Sequence, residues 1–333
     1  MKKVNVAIVG ATGMVGRTFL KVLEERNFPI ENLFLFSSSK SAGSKVIFCG
    51  KEYIVEELKE TSFTDRGIQI ALFSAGGSIS EKYAPIAASN GILVVDNSSH
   101  WRMDPDVPLV VPEVNPEAIK EHKGIIANPN CSTIQAMVPL KPLDDKYKIK
   151  RVVYSTYQAV SGSGVKGVED LEKGMNGNPT GFYPHQISYN CLPHIDSFTE
   201  NGYTKEEMKM VNETMKILNN YDLKITATTV RVPVRNGHSE SINVEFNNPF
   251  ELEDLVKTLE EAPGVVVVDN PANNEYPTAV EFDNRDEVFV GRIRRDFSVD
   301  NGVNLWVVAD NIRKGAATNA IQIAEMALSY DLV

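Results

Sequence analysis

A glycine-rich turn near the N terminus is the feature that most limits what this chain can fold into. It follows the apolar run 4–9, precedes a helical pattern over 14–26, and reads Gly10-Ala11-Thr12-Gly13-Met14-Val15-Gly16. Between a strand and a helix, glycines let backbone N–H groups approach a pyrophosphate at the helix N-terminus. The spacing is G-x-x-G-x-x-G instead of the usual G-x-G-x-x-G, and a purely structural turn is the alternative. The context favours a dinucleotide site formed by Gly10, Thr12, Gly13, Met14, Val15 and Gly16.

Apolar runs alternate with helical patterns through the first third of the chain. The first helix is expected at Met14–Arg26, and strands are expected at Val4–Val9, Leu33–Phe36, Ile68–Phe73, Ile92–Asp96 and Leu109–Val111. Alternation of this kind is typical of parallel strands joined by crossover helices. Residues 1–130 are therefore predicted to form a Rossmann-type doubly wound parallel sheet of an α/β protein.

Longer β-branched segments fill the region 131–313 and indicate a second, α+β domain with a mixed or antiparallel sheet. Its strands are expected at Val152–Tyr157, Ile225–Val232, Ile242–Phe246, Val265–Val268, Val288–Ile293 and Leu305–Ala309. A helix over 205–219 opens with Thr204 and Glu207 at capping-box spacing. A last helix is expected at about 314–329, and the sequence leaves open whether the segment 314–333 returns to the first domain.

Composition excludes several classes of protein. The chain has 333 residues, with 34 Lys and Arg against 44 Asp and Glu, which gives a net charge of −10. Nonspecific binding to nucleic acid or to an anionic membrane requires clustered basic residues, so neither partner is expected. No apolar run in the sequence reaches the roughly 20 residues that span a bilayer.

The cysteines and histidines predict neither a disulfide framework nor a metal site. Cys49, Cys131 and Cys191 are few and scattered, so a reducing cytosol, and with it a cytoplasmic location, is the simpler expectation. His185, Cys191 and His194 lie close together in sequence but match no paired zinc motif. We therefore expect no metal.

The end of the second strand predicts NADP as the cofactor. NAD specificity normally comes from a carboxylate at this position, which accepts hydrogen bonds from the ribose hydroxyls. Here the chain has hydroxyls and a cation, Ser37, Ser38, Ser39, Lys40 and Ser41, which suit a 2′-phosphate, although a plain polar loop is the alternative. A second glycine turn, with Ala75 and Gly76, ends another strand and is expected to contact the same cofactor.

Cys131 is the candidate nucleophile. It lies in the segment Asn128-Pro129-Asn130-Cys131-Ser132-Thr133, where Pro129 ends an extended stretch and a helix can open from Ser132 onward. The first turn of a helix stabilises a thiolate, and the thiolate is the reactive form of cysteine. A small buried core cysteine is the alternative when this residue is considered alone.

Taken together, the ordered motifs resemble those of the aspartate-β-semialdehyde dehydrogenase family over the whole chain. The matching segments are GATGMVG, SAGG, Asn97-Ser98-Ser99 with Arg102, VVPEVNP, NPNCST, YQAVSGSG, RVPVRNGHSES and DNIRKGAATNA. The resemblance implies a second domain like that of glyceraldehyde-3-phosphate dehydrogenase, used for catalysis and dimerisation. It also implies NADPH-dependent reduction of L-aspartyl 4-phosphate to L-aspartate 4-semialdehyde through a cysteine thioester, in lysine, threonine, methionine and diaminopimelate biosynthesis.

Residue roles follow from the same resemblance. It makes Cys131 the nucleophile, Gln158 the residue that orients the substrate or the thiol, and His238 the acid/base for the thiohemiacetal proton. An imidazole that titrates near neutrality suits that proton transfer. The resemblance also adds Ser161, Gly162 and Asn319 to the cofactor site.

The substrate-binding residues implied by the resemblance recognise its charged groups. Arg231 clamps the α-carboxylate, Glu213 receives the α-ammonium, and Arg102 with Lys216 holds the phosphate; Asn130 contacts the phosphate or the acyl group. Guanidinium forks suit such anions. The expected partners are the small-molecule substrate, phosphate and a second copy of the chain, in a homodimer that the loop 174–193 helps to build. A tetramer of paired dimers is the alternative.

Less specific interpretations stay open for several of these residues. Glu213 and Lys216 suit a surface ion pair on the 205–219 helix, Arg102 suits a surface contact with Trp101, and His238 suits an exposed loop. Arg235 is left unassigned as a solvated residue. At the level of function, the alternatives are a reductase of N-acetyl-glutamyl phosphate, whose cysteine segment reads roughly N-P-G-C-Y, and a noncatalytic NADP-binding protein.

Overall fold

The computed structural model describes residues 3–333, and the chain divides into two compact units. The first unit contains the chain up to Pro129 together with Ala316–Val333, and the second contains Asn130–Gly315. No helix among residues 3–333 is long and apolar enough to cross a membrane.

The elements of the first unit alternate between strand and helix before the final helix. Its strands are β1 Val4–Val9, β2 Ile30–Ser37, β3 Lys45–Phe48, β4 Lys51–Ile54, β5 Glu56–Glu57, β6 Ile70–Phe73, β7 Leu93–Asp96 and β8 Ile125–Ala127, and its first helices are α1 Met14–Glu25 and α2 Gly77–Ser89. The second unit contains helices α3 Cys131–Tyr147, α4 Val165–Met175, α5 Lys205–Leu218 and α6 Leu252–Glu260. Its strands are β9 Ile149–Gln158, β10 Lys224–Arg231, β11 His238–Phe246, β12 Val265–Val267, β13 Val288–Asp296 and β14 Gly302–Ala309, and the chain ends with α7 Thr318–Ser329.

Six parallel strands form the sheet of the first unit, in the order β5-β2-β1-β6-β7-β8. The strands next to the centre are buried on both faces, which is why they are continuous apolar runs. The strand order reverses between β1 and β6, and ligands of such sheets bind in the crevice at the carboxyl ends there. The predicted doubly wound fold is confirmed.

The first unit differs from the prediction in several details, among them strands β5 and β8 and helix α2, which were not predicted. The segment Leu109–Val111 is not a strand, because only Leu109 forms an isolated bridge, with Ala127. An antiparallel hairpin of β3 and β4 was not predicted. It is short and half exposed, so its apolar residues are too few to give a clear alternating pattern.

A mixed six-stranded sheet forms the second unit, in the order β10-β9-β11-β14-β13-β12, which confirms the predicted mixed sheet. Helices α3 and α6 pack on this sheet, and α5 packs against both β10 and α3. Helix α3 is buried on nearly every side, so its sequence shows no polar face. The predicted capping box at α5 is present, since the Thr204 hydroxyl accepts the Glu207 N–H at 3.2 Å and the Glu207 carboxylate accepts the Thr204 N–H at 2.7 Å.

The C-terminal helix α7 is part of the first unit, where Ala320, Ile321 and Ala324 are fully buried in its core. The α-helix begins at Thr318, later than the predicted residue 314, because Arg313–Ala317 form a π-helical turn. Apolar spacing alone does not distinguish such a turn from the first turn of an α-helix.

Candidate active site

The glycine turn of the first unit combines tight packing with an open helix end. Gly10 has a φ of +89°, and a Cβ built on it would lie 2.3 Å from the Ser74 carbonyl oxygen; a Cβ on Gly16 would lie 2.2 Å from the Gly10 oxygen. Both positions therefore accept only glycine. Gly13 caps α1 with extended backbone. The glycines are therefore needed for the packing of the turn. The turn also suits an anion, because no side chain caps the first N–H groups of α1.

A cavity of about 390 Å³ lies at this crevice of the first unit. It is lined by Val9, Gly10, Thr12, Gly13, Ser37, Ser38, Ser39, Glu57, Leu58, Ser74, Ala75, Ile79 and Tyr83. The Thr12 and Ser37 hydroxyls are 2.8 Å apart. The predicted residues Met14, Val15, Gly16, Lys40, Ser41 and Gly76 do not line the cavity itself. The cavity combines a glycine turn, a helix N-terminus and a rim of serine and threonine hydroxyls, and this combination fits a pyridine dinucleotide.

Glu57 is a cavity-lining residue that the sequence analysis missed. It lies in the two-residue strand β5, paired in register with Ser37, and its carboxylate is 3.1 Å from the Lys59 ammonium. A strand this short gives no periodic signal, so only the fold brings Glu57 to the rim.

Arg102 connects two segments at the carboxyl edge of the first sheet through hydrogen bonds. Its side chain is buried, with Nε donating to the Asn128 carbonyl at 2.9 Å and Nη2 donating to the Asn97 carbonyl at 3.1 Å. The alternative of a surface contact with Trp101 does not fit, because the Arg102 side chain is buried. Burial with carbonyl partners fixes the guanidinium in one orientation.

Asn319 is buried in the same unit, in the first turn of α7. Its amide nitrogen donates to the Val110 carbonyl at 3.0 Å and to the Asn128 side-chain oxygen at 2.7 Å. The amide therefore links α7 to the end of β8, and its predicted contact with the cofactor stays a prediction.

In the second unit, Cys131 is the first residue of α3 and is half buried. Asn130 is the N-cap, and its side-chain oxygen accepts the N–H groups of Ser132 at 3.0 Å and Thr133 at 3.4 Å. The predicted position in a first helical turn is confirmed, and a fully buried core cysteine is not what is found. A Cβ built on Gly315 would lie 2.8 Å from the Cys131 Cβ, so backbone without a side chain packs against the nucleophile.

Gln158 lies in a buried cluster around the carboxylate of Glu206. The Glu206 Oε1 accepts hydrogen bonds from the Asn130 amide at 2.8 Å and from the Gln158 amide at 3.1 Å, and Lys209 lies 2.9 Å from Oε2. Burial alone would raise the pKa of Glu206, but Lys209 and the two amide donors outweigh it and lower the pKa to about 2. A fixed negative charge is therefore hydrogen-bonded to Asn130, the residue that directly precedes Cys131.

Glu206 and Lys209 were missed, and the reason is helical periodicity. The pair Glu213 and Lys216 lies seven residues later with the same spacing, so both pairs share one face of α5 and the sequence gives no ground for choosing between them. Glu213 is buried, and its carboxylate accepts the Asn130 backbone N–H at 2.7 Å. The alternative of a surface ion pair is therefore wrong for Glu213.

His238 is fully buried as the first residue of β11, so the exposed-loop alternative is wrong. Its Nδ1 accepts the Ala159 N–H at 3.0 Å, which places the proton of the neutral ring on Nε2. That Nε2 makes no hydrogen bond. Burial and the nearby Arg231 guanidinium lower the pKa of His238 to about 3, so the ring is neutral at physiological pH.

Arg231 and His238 both pack against Gly162. A Cβ built on Gly162 would lie 3.0 Å from the Arg231 Nη1 and 3.4 Å from the His238 Nε2. Nη1 donates to the Ala159 carbonyl at 2.7 Å, while the buried Nε is unpartnered. The absence of a side chain at Gly162 therefore lets the Arg231 and His238 donors approach its backbone and one another.

The remaining candidates are one buried serine and several exposed residues. The Ser161 hydroxyl donates to the Asn236 side chain at 2.8 Å. Arg235 is exposed and 3.3 Å from Glu172, and Cys49 and Cys191 are exposed. No group of His, Cys, Asp and Glu that could hold a metal ion occurs among residues 3–333.

Comparisons with known proteins cover almost the whole chain. Residues 5–122 match the family described as semialdehyde dehydrogenase, NAD binding domain, and residues 140–314 match semialdehyde dehydrogenase, dimerisation domain. An aspartate-semialdehyde dehydrogenase of Aquifex aeolicus (strain VF5) is 60% identical over 99% of both chains. The structure of aspartate semialdehyde dehydrogenase II complexed with ASA from Vibrio cholerae is 49% identical, with a TM-score of 0.94 over 99% of both chains. A Candida albicans aspartate semialdehyde dehydrogenase with NADP is 27% identical, with a TM-score of 0.80 over 100% of both chains.

Proposed function

Because the chain belongs to the aspartate-semialdehyde dehydrogenase family, we propose that it reduces L-aspartyl 4-phosphate to L-aspartate 4-semialdehyde with NADPH. The step serves lysine, threonine, methionine and diaminopimelate biosynthesis, and phosphate drives the reverse reaction. The observation that carries the proposal is Cys131 at the N-terminus of α3, capped by an Asn130 that also contacts the Glu206 carboxylate beside Gln158. An N-terminal helix dipole and an ordered amide next to a half-buried thiol suit attack on an acyl group.

The cofactor is held by the crevice of the first unit. We assign the pyrophosphate to the N–H groups of α1 after Gly13, and the 2′-phosphate to Ser37, Ser38, Ser39 and Lys40. Glu57 at the rim disfavours that phosphate unless Lys59 neutralises it. The nicotinamide, when bound, exchanges the hydride. No metal is required for this chemistry.

Cys131 forms and breaks the covalent bond to the substrate. Its thiolate attacks the 4-carbonyl of the acyl phosphate, the C–S bond forms, and the C–O bond to phosphate breaks, which leaves a thioester and inorganic phosphate. After reduction at that carbon, the oxyanion collapses to the aldehyde and the thiolate leaves. Negative charge therefore develops on one oxygen during both halves of the reaction, and a fixed donor at this oxygen stabilises it.

We assign that donor to the Nε2–H of His238. The resemblance predicted that His238 acts as the acid/base. That role requires an imidazolium with a proton on Nδ1, but Nδ1 already accepts the Ala159 N–H and has no room for that proton. The low pKa of about 3 also opposes the imidazolium. A neutral ring that donates through Nε2 stabilises the oxyanion without transferring a proton.

The charged ends of the substrate are assigned from the contacts of the second unit. Arg231 takes the α-carboxylate through its fork, because its Nε has no internal partner. For the α-ammonium we favour Glu206 over the predicted Glu213, because the Glu213 oxygen is bonded to backbone at Asn130 whereas Glu206 contacts the Gln158 amide. Lys209, which is paired with Glu206, thereby joins Lys216 as a candidate of the second unit for the phosphate.

We also propose a homodimer formed through the sheet of the second unit. A cavity of about 600 Å³ lies on that unit, lined by residues such as Tyr276, Val280, Arg292 and Trp306. Val280 is 82% exposed, which is typical of a surface that a partner covers. The match to a dimerisation domain supports this assignment. Light scattering combined with size-exclusion chromatography tests the mass.

The deciding assay measures NADPH formation from L-aspartate 4-semialdehyde with and without phosphate, and compares NADP with NAD. Phosphate-dependent NADPH formation is the expected result. A folded, NADP-binding sample that is inactive here but active on N-acetyl-glutamate semialdehyde assigns the neighbouring reductase function. Inactivity on both substrates assigns a noncatalytic function.

A further inference from the structure

The carboxyl group of Glu240 is buried in the second unit without a counter-ion. Glu240 is the third residue of β11 and has no solvent exposure. Neither of its side-chain oxygens makes a hydrogen bond to another group. Removing an ionised carboxylate from water without a cation or donors costs far more than burying the neutral acid.

The groups around Glu240 do not supply a cation. On its own strand the nearest ionisable group is His238, which is neutral, and β9 contributes the Tyr154 phenol, which interacts with Glu240. Helix α5 contributes the carboxylate of Glu206, and on β14 the residue opposite is the apolar Val307. Burial, together with the charge of Glu206, raises the pKa of Glu240 well above its ordinary value.

Helix α3 presents two polar side chains to this region, next to the nucleophile. Ser132 directly follows Cys131, and its buried hydroxyl makes no hydrogen bond. Its interaction with Glu240 opposes the rise in the pKa of that acid. Gln135, one turn later, donates to the His238 carbonyl at 3.4 Å. Buried polar side chains of α3 thus interact with residues of β11 at the start of the helix.

We propose that Glu240, as a neutral acid, is a positioning residue that donates its proton to the Ser132 hydroxyl and so fixes the first turn of α3 and the orientation of Cys131. The proposal rests on the covalent function assigned to Cys131. The Ser132 hydroxyl, the Gln135 Oε1 and both Glu240 oxygens are buried without a hydrogen-bond partner, and of the two α3 side chains it is Ser132 that interacts with Glu240. Nothing in this role brings Glu240 into contact with the substrate.

The neutral state has a consequence for pH. A raised pKa keeps the proton on Glu240 at neutral pH, so activity is retained there and is lost on the alkaline side as Glu240 ionises. Ionisation forces the Ser132 hydroxyl to donate instead of accept, which reorients it, and adds a second negative charge near Glu206 and the thiolate. Glutamine keeps the shape and a donor but does not ionise.

The test compares Glu240→Gln, Glu240→Ala and Ser132→Ala with the wild-type full chain. The first readout is the kcat and KM for phosphate-dependent oxidation of L-aspartate 4-semialdehyde from mildly acidic to alkaline pH. The second is the rate at which iodoacetamide alkylates Cys131 without cofactor or substrate, followed by mass spectrometry of its peptide. Glu245→Gln is the matched control, since Glu245 is on the same strand and is paired with Lys150.

We expect Glu240→Ala and Ser132→Ala to lower kcat and the alkylation rate about tenfold, with KM changed less than about twofold. Glu240→Gln restores both at neutral pH and lacks the alkaline loss of the wild type, and Glu245→Gln behaves as wild type throughout. An alkaline loss unchanged in Glu240→Gln, or a Glu240→Ala protein with wild-type kcat and alkylation, overturns the proposal.

Folding and the covalent function are tested separately. If Glu240→Ala shows no cooperative unfolding transition, the proposal is judged on the kinetics and alkylation rates of Glu240→Gln and Ser132→Ala alone. If Cys131→Ala stays active, the proposed covalent function is wrong. The alkylation rates still report on whether Glu240 positions the thiol, so the two failures are distinguishable.

Discussion

The cofactor crevice of the first unit and the polar cluster of the second unit are built on opposite principles. The crevice depends on backbone that carries no side chain, since Gly10 and Gly16 permit contacts that any Cβ would block. The cluster depends on side chains buried with part of their hydrogen-bonding capacity unused, such as the His238 Nε2 and the Arg231 Nε. Substitutions in the crevice should therefore act through conformation, and substitutions in the cluster through charge and reactivity.

The largest effect is expected from Cys131→Ala, which removes the nucleophile and leaves the first unit untouched. Turnover should fall about a thousandfold or more while NADPH binding, measured by fluorescence titration, is unchanged. The variant therefore separates the chemistry of the cluster from cofactor binding in the crevice. Substantial turnover in this variant would mean that the cluster acts without a covalent intermediate.

Gly10→Ala should break the crevice by conformation alone. The added Cβ meets the Ser74 carbonyl oxygen at 2.3 Å in backbone of positive φ, so we expect a loss of about 3 kcal/mol in stability and weaker NADPH binding. Gly91→Ala is the control, because Gly91 also has positive φ but nothing lies within 4 Å of its Cβ. Equal stability losses in urea unfolding of the two variants would remove the steric explanation.

Arg231→Lys tests whether the cluster recognises an anion through a planar fork. Lysine keeps the charge but loses the paired donors, so KM for the semialdehyde should rise about tenfold with a smaller change in kcat. Steady-state kinetics at saturating phosphate measure both. A fall in kcat at unchanged KM would instead place Arg231 in the chemical step.

A smaller effect is expected in the pH dependence of stability. The unfolded imidazole has a pKa of 6.5 and the folded His238 about 3, so between these values the unfolded state binds a proton that the folded state excludes. The free energy of unfolding should be insensitive to this group above pH 6.5 and fall as the pH decreases toward 3. His238→Asn should reduce that fall, and the exposed His185→Asn should not. Urea titrations at several pH values measure the difference.

The sequence predicted the crevice better than the cluster, for a physical reason. Glycines between a strand and a helix are local signals, so β1, the turn and α1 were found from spacing. The positions of Ser37 and Ser74 then followed from the rule that parallel strands end at one edge. Glu57 escaped because its strand is two residues long and only tertiary pairing brings it to the rim.

The cluster depends on contacts between residues far apart in the chain. The Asn130 amide bonds to Glu206 and the Ala159 N–H bonds to His238, and no periodic pattern encodes either pairing. The resemblance to a family supplied Cys131, Gln158 and His238 as candidates. It named Glu213, whereas the contacts of the second unit favour Glu206 on the same helix face. It also gave no tautomer for His238, which only the Nδ1 contact determines.

The close approach of Gly315 to Cys131 restricts which descendants of this sequence can be functional. A Cβ at position 315 would lie 2.8 Å from the Cys131 Cβ, whereas at Gly77 the nearest atom, the His100 Cβ, lies at 3.8 Å. In a library randomised at both positions and selected for activity, position 315 should return glycine while position 77 also accepts alanine. The nucleophile therefore constrains the sequence at a point 184 residues away along the chain, through a residue that contributes no side chain at all.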